Sequence, residues 1–260
     1  MSVKPKKHLG QHFLVDKNIS RKIADSFIGF RGVTNVLEIG PGTGAITQFF
    51  VEREELNFHV IDLDLESIRY LEDHYPQLDE KIHEADFLKM DFTTVFGDEP
   101  FAVVGNFPYN ISSQILFKCL ENRNQIPEIM GMFQKEVAQR VAESPGSKQY
   151  GILSVMLQTY YDIEYCFTVS ENVFNPPPKV KSGVIRCTRN RRDELPVDES
   201  LYEKVVKSTF NQRRKTIRNG LKTIVDVKEL PDHPFLSKRA EKLSVEDFIE
   251  LTRFVSEHTV

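Results

Sequence analysis

Little in this chain offers a hold for a metal or a membrane. Its three cysteines, Cys119, Cys166 and Cys187, form neither a CxxC pair nor a cluster with histidine, so reduced thiols and no bound metal are expected. No stretch reaches the roughly 18 apolar residues that a bilayer-spanning helix requires. The basic start, Lys4-Pro5-Lys6-Lys7, is followed only by Phe13-Leu14-Val15 before Asp16, which is too short for the apolar core of a secretion signal. These absences argue for a cytoplasmic protein and against a membrane partner.

What is present suffices for a sizeable core. The chain has 260 residues, 40% of them hydrophobic, enough for one large domain or for one domain with a small addition. The net charge of -4 hides an asymmetry. Residues 179–222 hold thirteen Lys/Arg against five Asp/Glu, and residues 1–22 hold six against Asp16 alone. Cationic segments in an otherwise acidic chain point to a polyanionic partner, nucleic acid first among them. Solvated helix faces and a frayed tail are the competing explanation.

Residues 35–39 read as a strand that runs into Gly40-Pro41-Gly42-Thr43-Gly44, with a helix carrying Ile46, Phe49, Phe50 and Val51 on its apolar side beyond. A glycine turn between strand and helix lets a ligand approach the backbone closely. The second strand ends at Asp62, 22 positions after Gly40, where a ribose-binding carboxylate is expected. The spacing Gly40-x-Gly42-x-x-Ala45 also fits a dinucleotide fingerprint, a weak signal alone. Two further residues discriminate. Glu38, just before the turn, would repel a pyrophosphate and suit an ammonium, and Asp86, at a third strand end, can accept from the amino group of an adenine. S-adenosylmethionine, an adenosine joined to a cationic amino acid, fits this set better than a nicotinamide cofactor.

The apolar run 101–105 stops abruptly at Asn106-Phe107-Pro108-Tyr109. The Asn106 side-chain oxygen can accept from an exocyclic amino group. Pro108 fixes its own φ and biases Phe107 toward an extended backbone, so the carbonyls here are aimed. Tyr109 offers a ring for stacking, worth about 1–3 kcal/mol per base. The stretch reads as a reaction site for a planar nitrogen base; a strand end with two rings packed into the core is the alternative. Phe174, ahead of the stiff Pro176-Pro177-Pro178 loop, can face Tyr109 across a base or anchor that loop. Residues 191–196 look like a linker. Beyond it apolar residues recur at helical spacing, and Arg213, Arg214, Lys215 and Arg218 put four positive charges on a helix with no acid among them, an expected RNA grip. Helices are further expected over 16–30, 112–120 and 136–143, and strands over 127–134 and at Val184-Ile185, while 153–161 mixes both signals.

Seven pieces in order, Gly10-Gln11-His12-Phe13-Leu14, the turn 37–44, Asp62, Asp86, Asn106-Phe107-Pro108-Tyr109-Asn110-Ile111-Ser112, Pro176-Pro177-Pro178-Lys179-Val180-x-Ser182 and the segment 210–219, resemble the small-subunit ribosomal RNA adenine dimethyltransferases over nearly the whole chain. The resemblance implies an α/β fold: a Rossmann-like S-adenosylmethionine-dependent methyltransferase domain over residues 1–192, with a small C-terminal all-helical RNA-binding domain over 193–260. It implies N6,N6-dimethylation of two adjacent adenosines near the 3′ end of 16S rRNA, in an immature 30S subunit, with a role in ribosome biogenesis; a monomer is expected. Carried over by position, His12, Leu14, Gly40, Asp62, Asp86 and Asn106 line the donor site, with Glu38 and Gly42 beside them from the chemistry of the turn. Phe107 stands where many relatives have leucine or isoleucine. Asn106 and the carbonyl of Phe107 or Pro108 then accept the two N6 hydrogens, and Tyr109 and Phe174 sandwich the adenine. A large-subunit RNA methyltransferase of the antibiotic-resistance type shares this fold; Pro41, Thr43 and the 210–219 segment favour the small-subunit type. A ribosome assembly factor whose methylation is secondary to docking is the remaining alternative.

Overall fold

The apolar runs of the sequence become neighbouring strands. The computed structural model describes residues 3–6 and 9–258, so Lys7 of the basic start lies outside the described residues. In chain order the elements are β1 (Phe13–Leu14), α1 (Lys17–Asp25), β2 (Asn35–Ile39), α2 (Thr47–Phe50), β3 (Asn57–Asp62), α3 (Leu65–His74), β4 (Ile82–Glu84), α4 (Thr93–Phe96), β5 (Phe101–Asn106), α5 (Ser112–Glu121), β6 (Glu128–Gln134), α6 (Lys135–Ala142), α7 (Ile152–Tyr160), β7 (Tyr161–Val169), β8 (Phe174–Asn175), β9 (Ser182–Arg189), α8 (Glu199–Asn211), α9 (Ile217–Gly220) and α10 (Val245–Ser256). They fall into two compact units, residues 1–138 with 162–189, and residues 139–161 with 190–260.

The first unit is built on a seven-stranded sheet in the order β4-β3-β2-β5-β6-β9-β7. From β4 to β6 the neighbours run parallel, and β9 returns antiparallel to β6. Parallel strands covered on both faces read as continuous apolar runs, and Phe101, Ala102, Val103 and Val104 are all fully buried. The strand order reverses between β2 and β5, because the chain steps outward through β3 and β4 and then crosses back. A ligand crevice opens at the carboxyl ends of the strands at such a point, and Ile39, Asp62 and Asn106 are the last residues of β2, β3 and β5.

Three elements differ from expectation. Helix α1 begins where Asp16 caps Asn18 and Ile19 but stops at Asp25 rather than 30. The backbone N–H groups of Ile28 and Phe30 instead donate to the buried Glu128 carboxylate, at 3.0 and 2.7 Å, and Gly29 takes a positive φ of 61°, so the loop turns back to β6. Residues 152–169 pass from α7 directly into β7 with no intervening turn, which is why both signals overlapped there. Helix α3, capped by Asp64, had no counterpart in the sequence reading.

The second unit is helical. Its core joins Tyr202, Val205, Val206 and Phe210 of α8 to Phe248, Leu251 and Val255 of α10. A capping box at Ser244 and Asp247 opens α10, each residue's side chain accepting from the other's backbone N–H. Residues 139–161 belong to this unit, whereas a boundary at 192 assigns them to the first. Tyr202 explains the difference: its hydroxyl shares a 2.8 Å hydrogen bond with Thr159, which ties α7 to α8.

Candidate active site

At the carboxyl edge of β2, β3, β4 and β5 the first unit encloses a cavity. Its wall is made by residues 9–13, Ile39, Gly40 and Gly42 after β2, residues 61–63 at the end of β3, residues 85–87 after β4, and residues 106–111 after β5. The turn after β2 needs glycine for two separate reasons. Gly42 has φ 57°, and a Cβ there would lie 2.9 Å from the Phe13 ring, so the position tolerates neither an L side chain's conformation nor its bulk. Gly40, with φ 64°, donates its N–H to the Ile61 carbonyl at 2.9 Å, which draws the turn against the end of β3.

Two carboxylates face this cavity. Asp62 accepts the Asp64 N–H at 2.9 Å, and burial pushes its carboxyl above the usual range. Asp86 accepts the Leu88 N–H at 3.0 Å, with the Lys89 ammonium 3.5 Å from its other oxygen. Asp86 keeps acceptor capacity beyond its turn hydrogen bond, and Asp62, on which the Gly42 and Leu63 N–H groups also draw, keeps part of its own.

Asn106 donates its side-chain N–H to the His12 carbonyl at 3.0 Å. The amide nitrogen is thereby engaged and the amide oxygen is left as an acceptor. Phe107 is 1% exposed; its ring packs 4.8 Å from that of Phe133 and over Gly131, where a Cβ would sit 2.3 Å from the ring. The Phe107 side chain therefore anchors the loop. Of the two carbonyls that follow Asn106, that of Pro108 already accepts the Ile111 N–H at 3.2 Å, while that of Phe107 has no hydrogen bond among the described residues. The Tyr109 hydroxyl shares a 2.5 Å hydrogen bond with buried Ser182, and its ring lies 5.5 Å from that of His12, tilted by 31°. His12 Nδ1 is 2.9 Å from the Pro176 carbonyl, tying residues 9–13 to the proline loop.

The structure thus brings His12, Gly40, Gly42, Asp62, Asp86, Asn106, Phe107, Pro108 and Tyr109 to one cavity, but not the other three residues expected there. Glu38 is 1% exposed and outside the cavity wall. Thr47 donates its hydroxyl to it at 2.6 Å, and burial pushes its carboxyl up to about 8, which disfavours the negative charge expected of it. Leu14 and Phe174 pair across β1 and β8 and are both buried in the core. Directly opposed residues share a face and alternate residues face opposite ways; Phe13 takes the cavity side, so Leu14 and the Phe174 ring take the core side. The loop-anchoring alternative for Phe174 is the one that the structure adopts.

Sequence reasoning missed Gln11, Phe13, Leu63 and Phe87 in the wall, and Ser182 and Asp64 behind it. Gln11, Phe13 and Ser182 lie inside recognised motifs, where a signal existed; nothing marked Leu63.

In the second unit the segment 212–216 is a turn between α8 and α9 rather than a helix. Arg213 donates to the Lys148 carbonyl and to that of Ser147 at 3.4 Å, and sits 3.7 Å from Glu241. Arg218 donates to the Val227 carbonyl at 2.7 Å and lies 3.4 Å from Asp232. These two guanidinium groups fasten loops of their own unit. Arg214 and Lys215 are exposed and make no side-chain hydrogen bond or ion pair among the described residues, leaving them as the free cations of the expected set. No helix among the described residues is long and apolar enough to cross a membrane.

Residues 2–257 match the family model described as ribosomal RNA adenine dimethylase. The ribosomal RNA small subunit methyltransferase A of Bacteroides thetaiotaomicron is 56% identical over 257 residues, covering 98% of this chain and 95% of that protein. The crystal structure of a dimethyladenosine transferase from Plasmodium falciparum superposes with a TM-score of 0.76 at 23% identity, covering 95% of this chain and 98% of the other, a likeness of fold. The 23S rRNA methyltransferase ErmE gives a TM-score of 0.68 at 25% identity, with 94% and 99% covered.

Proposed function

The chain belongs to the ribosomal RNA adenine dimethylase family, and from that premise we propose that it dimethylates N6 of two adjacent adenosines near the 3′ end of 16S rRNA in the immature small ribosomal subunit. The choice of subunit rests on the contrast between 56% identity to a small-subunit methyltransferase and 25% identity to a 23S rRNA methyltransferase. The methyl donor is S-adenosylmethionine, which supplies a methyl group already activated by the sulfonium. The residues present fit it: Asp62 would accept from the ribose hydroxyls, Asp86 would accept from the adenine amino group, and the open backbone at Gly40 and Gly42 would admit the rest.

The single observation that carries the site reading is the orientation of Asn106. Its amide nitrogen is held by the His12 carbonyl, so its oxygen accepts one N6 hydrogen of the target adenine and the Phe107 carbonyl accepts the other. Two acceptors in that arrangement would turn the nitrogen lone pair of the incoming base out of the ring plane, and S-adenosylmethionine would supply the methyl group. Tyr109, fixed by Ser182, provides the stacking face for a flipped base. No strong general base is needed, because positioning supplies most of the rate and N6, cationic once methylated, would release its proton to solvent as S-adenosylhomocysteine leaves. Arg214 and Lys215 contact the RNA backbone. The protein acts as a cytoplasmic monomer with no metal in the transfer step, which sedimentation and assay in chelator would check.

Asn106→Ala tests the site. Methyl transfer at saturating donor is expected to fall by about 100-fold or more, a loss in kcat well beyond the weakening of S-adenosylhomocysteine binding that follows from losing the His12 contact, which calorimetry measures separately. Normal turnover in that variant would remove Asn106 from the mechanism.

A further inference from the structure

Asp64 is placed unlike any other carboxylate near the cavity. It lies two residues beyond Asp62, outside the cavity wall, with its side chain fully buried. As the N-cap of α3 it accepts the Glu66 N–H at 3.0 Å, and one acceptor is all that an N-cap requires. Its remaining capacity is spent on the N-terminal segment. The Lys6 ammonium donates to Oδ1 at 2.5 Å and the Gln11 side-chain amide donates to Oδ2 at 2.9 Å. The Gln11 oxygen in turn accepts the Lys6 N–H at 2.8 Å, and the Asp64 N–H donates to Asp62 Oδ1 at 2.9 Å. One buried carboxylate therefore joins the segment that forms one wall of the cavity to the carboxylate expected to hold the ribose. A buried anion is tolerated only while its partners stay in place. Removing a partner therefore acts on the whole cluster.

We propose that Asp64 is a positioning residue: by latching Lys6 and Gln11 it holds residues 9–13 against the cavity and orients Asp62, and so sets the affinity for the adenosine-bearing methyl donor rather than the rate of transfer. This rests on reading the cavity as the S-adenosylmethionine site. Asn106 touches the same segment from the opposite wall, through the His12 carbonyl. The segment is thus held from two sides, by Asp64 through Lys6 and Gln11 and by Asn106 through His12.

The substitution that separates latch from cap is Asp64→Asn, since asparagine caps a helix as well as aspartate does but offers neither the charge for Lys6 nor a second acceptor oxygen for Gln11. In the full chain, calorimetry with S-adenosylhomocysteine is expected to show a Kd raised about tenfold in Asp64→Asn, and kinetics a matching rise in the donor KM with kcat within about twofold. Lys6→Met, which leaves the cap intact, should reproduce much of that rise. The double variant should add little to Asp64→Asn alone, a coupling seen in ligand binding that a purely structural cap would not produce. Unchanged affinity in both Asp64→Asn and Lys6→Met overturns the proposal; should Asp64→Asn fold poorly, unchanged affinity in Lys6→Met and Gln11→Leu does the same. If the unaltered protein itself binds no S-adenosylhomocysteine, the donor-site reading fails and the proposal falls with it.

Discussion

Glu38 shows how far burial can move a single residue from its expected chemistry. It occupies β2 one residue before the strand's end, with the Thr47 hydroxyl as its hydrogen-bond partner. Its folded carboxyl is pushed up to about 8 from an ordinary 4.5, chiefly by burial. Between those two values folding takes up a proton, so this residue makes stability decline as pH rises from about 4.5 to about 8. Glu38→Gln, which keeps the neutral shape, should flatten that decline; at pH 8.5 the variant should exceed the parent by about 1 kcal/mol or more, and near pH 5 match it, in urea titrations. Equal slopes would show that Glu38 is ionised in the folded state. At this scale the sequence was legible where a residue reaches the cavity from a strand end or just beyond it, as Asp62, Asp86 and Asn106 do. It was misleading where packing decides: burial disfavours the charge expected at Glu38, against the opposing pull of the Thr47 hydrogen bond, and Phe174 pairs with Leu14 in the core.

Among the elements, strand ends and the turn after β2 were read well because parallel strands announce themselves as unbroken apolar runs, and because glycines mark close approach. The Gly42 position makes this testable. Gly42→Ala puts a Cβ 2.9 Å from the Phe13 ring at φ 57°, so it should cost about 1 kcal/mol or more of stability. By displacing residues 9–13 it should also weaken S-adenosylhomocysteine binding several-fold, which thermal unfolding and calorimetry would register; unaltered binding would mean that the N-terminal segment is not a functional wall. Elements defined by distant partners were not legible. The end of α1 is decided by Glu128, about a hundred residues away, and no local pattern carries that information.

For the whole molecule, the division into a nucleotide-type α/β unit and a helical unit was visible in the change of periodicity after residue 196. The contribution of residues 139–161 to the helical unit was not, because it depends on the contact of Thr159 with Tyr202 and not on composition. The basic turn divides in a way that its charge count hides. Replacing both Arg214 and Lys215 by alanine should weaken RNA binding and reduce the salt slope by about one to two, with little change in melting temperature. Arg213→Ala, which unfastens the 147–148 and Glu241 contacts, should instead lower the stability of the protein. A salt slope unaffected by the double replacement would place the RNA on another face. The most direct test of the account as a whole is incubation of the protein with labelled S-adenosylmethionine and 30S particles lacking the modification, with 50S particles in parallel, followed by nucleoside analysis. The account predicts N6,N6-dimethyladenosine from the 30S sample alone; label in the 50S sample, or none in either while the donor is bound, would contradict it.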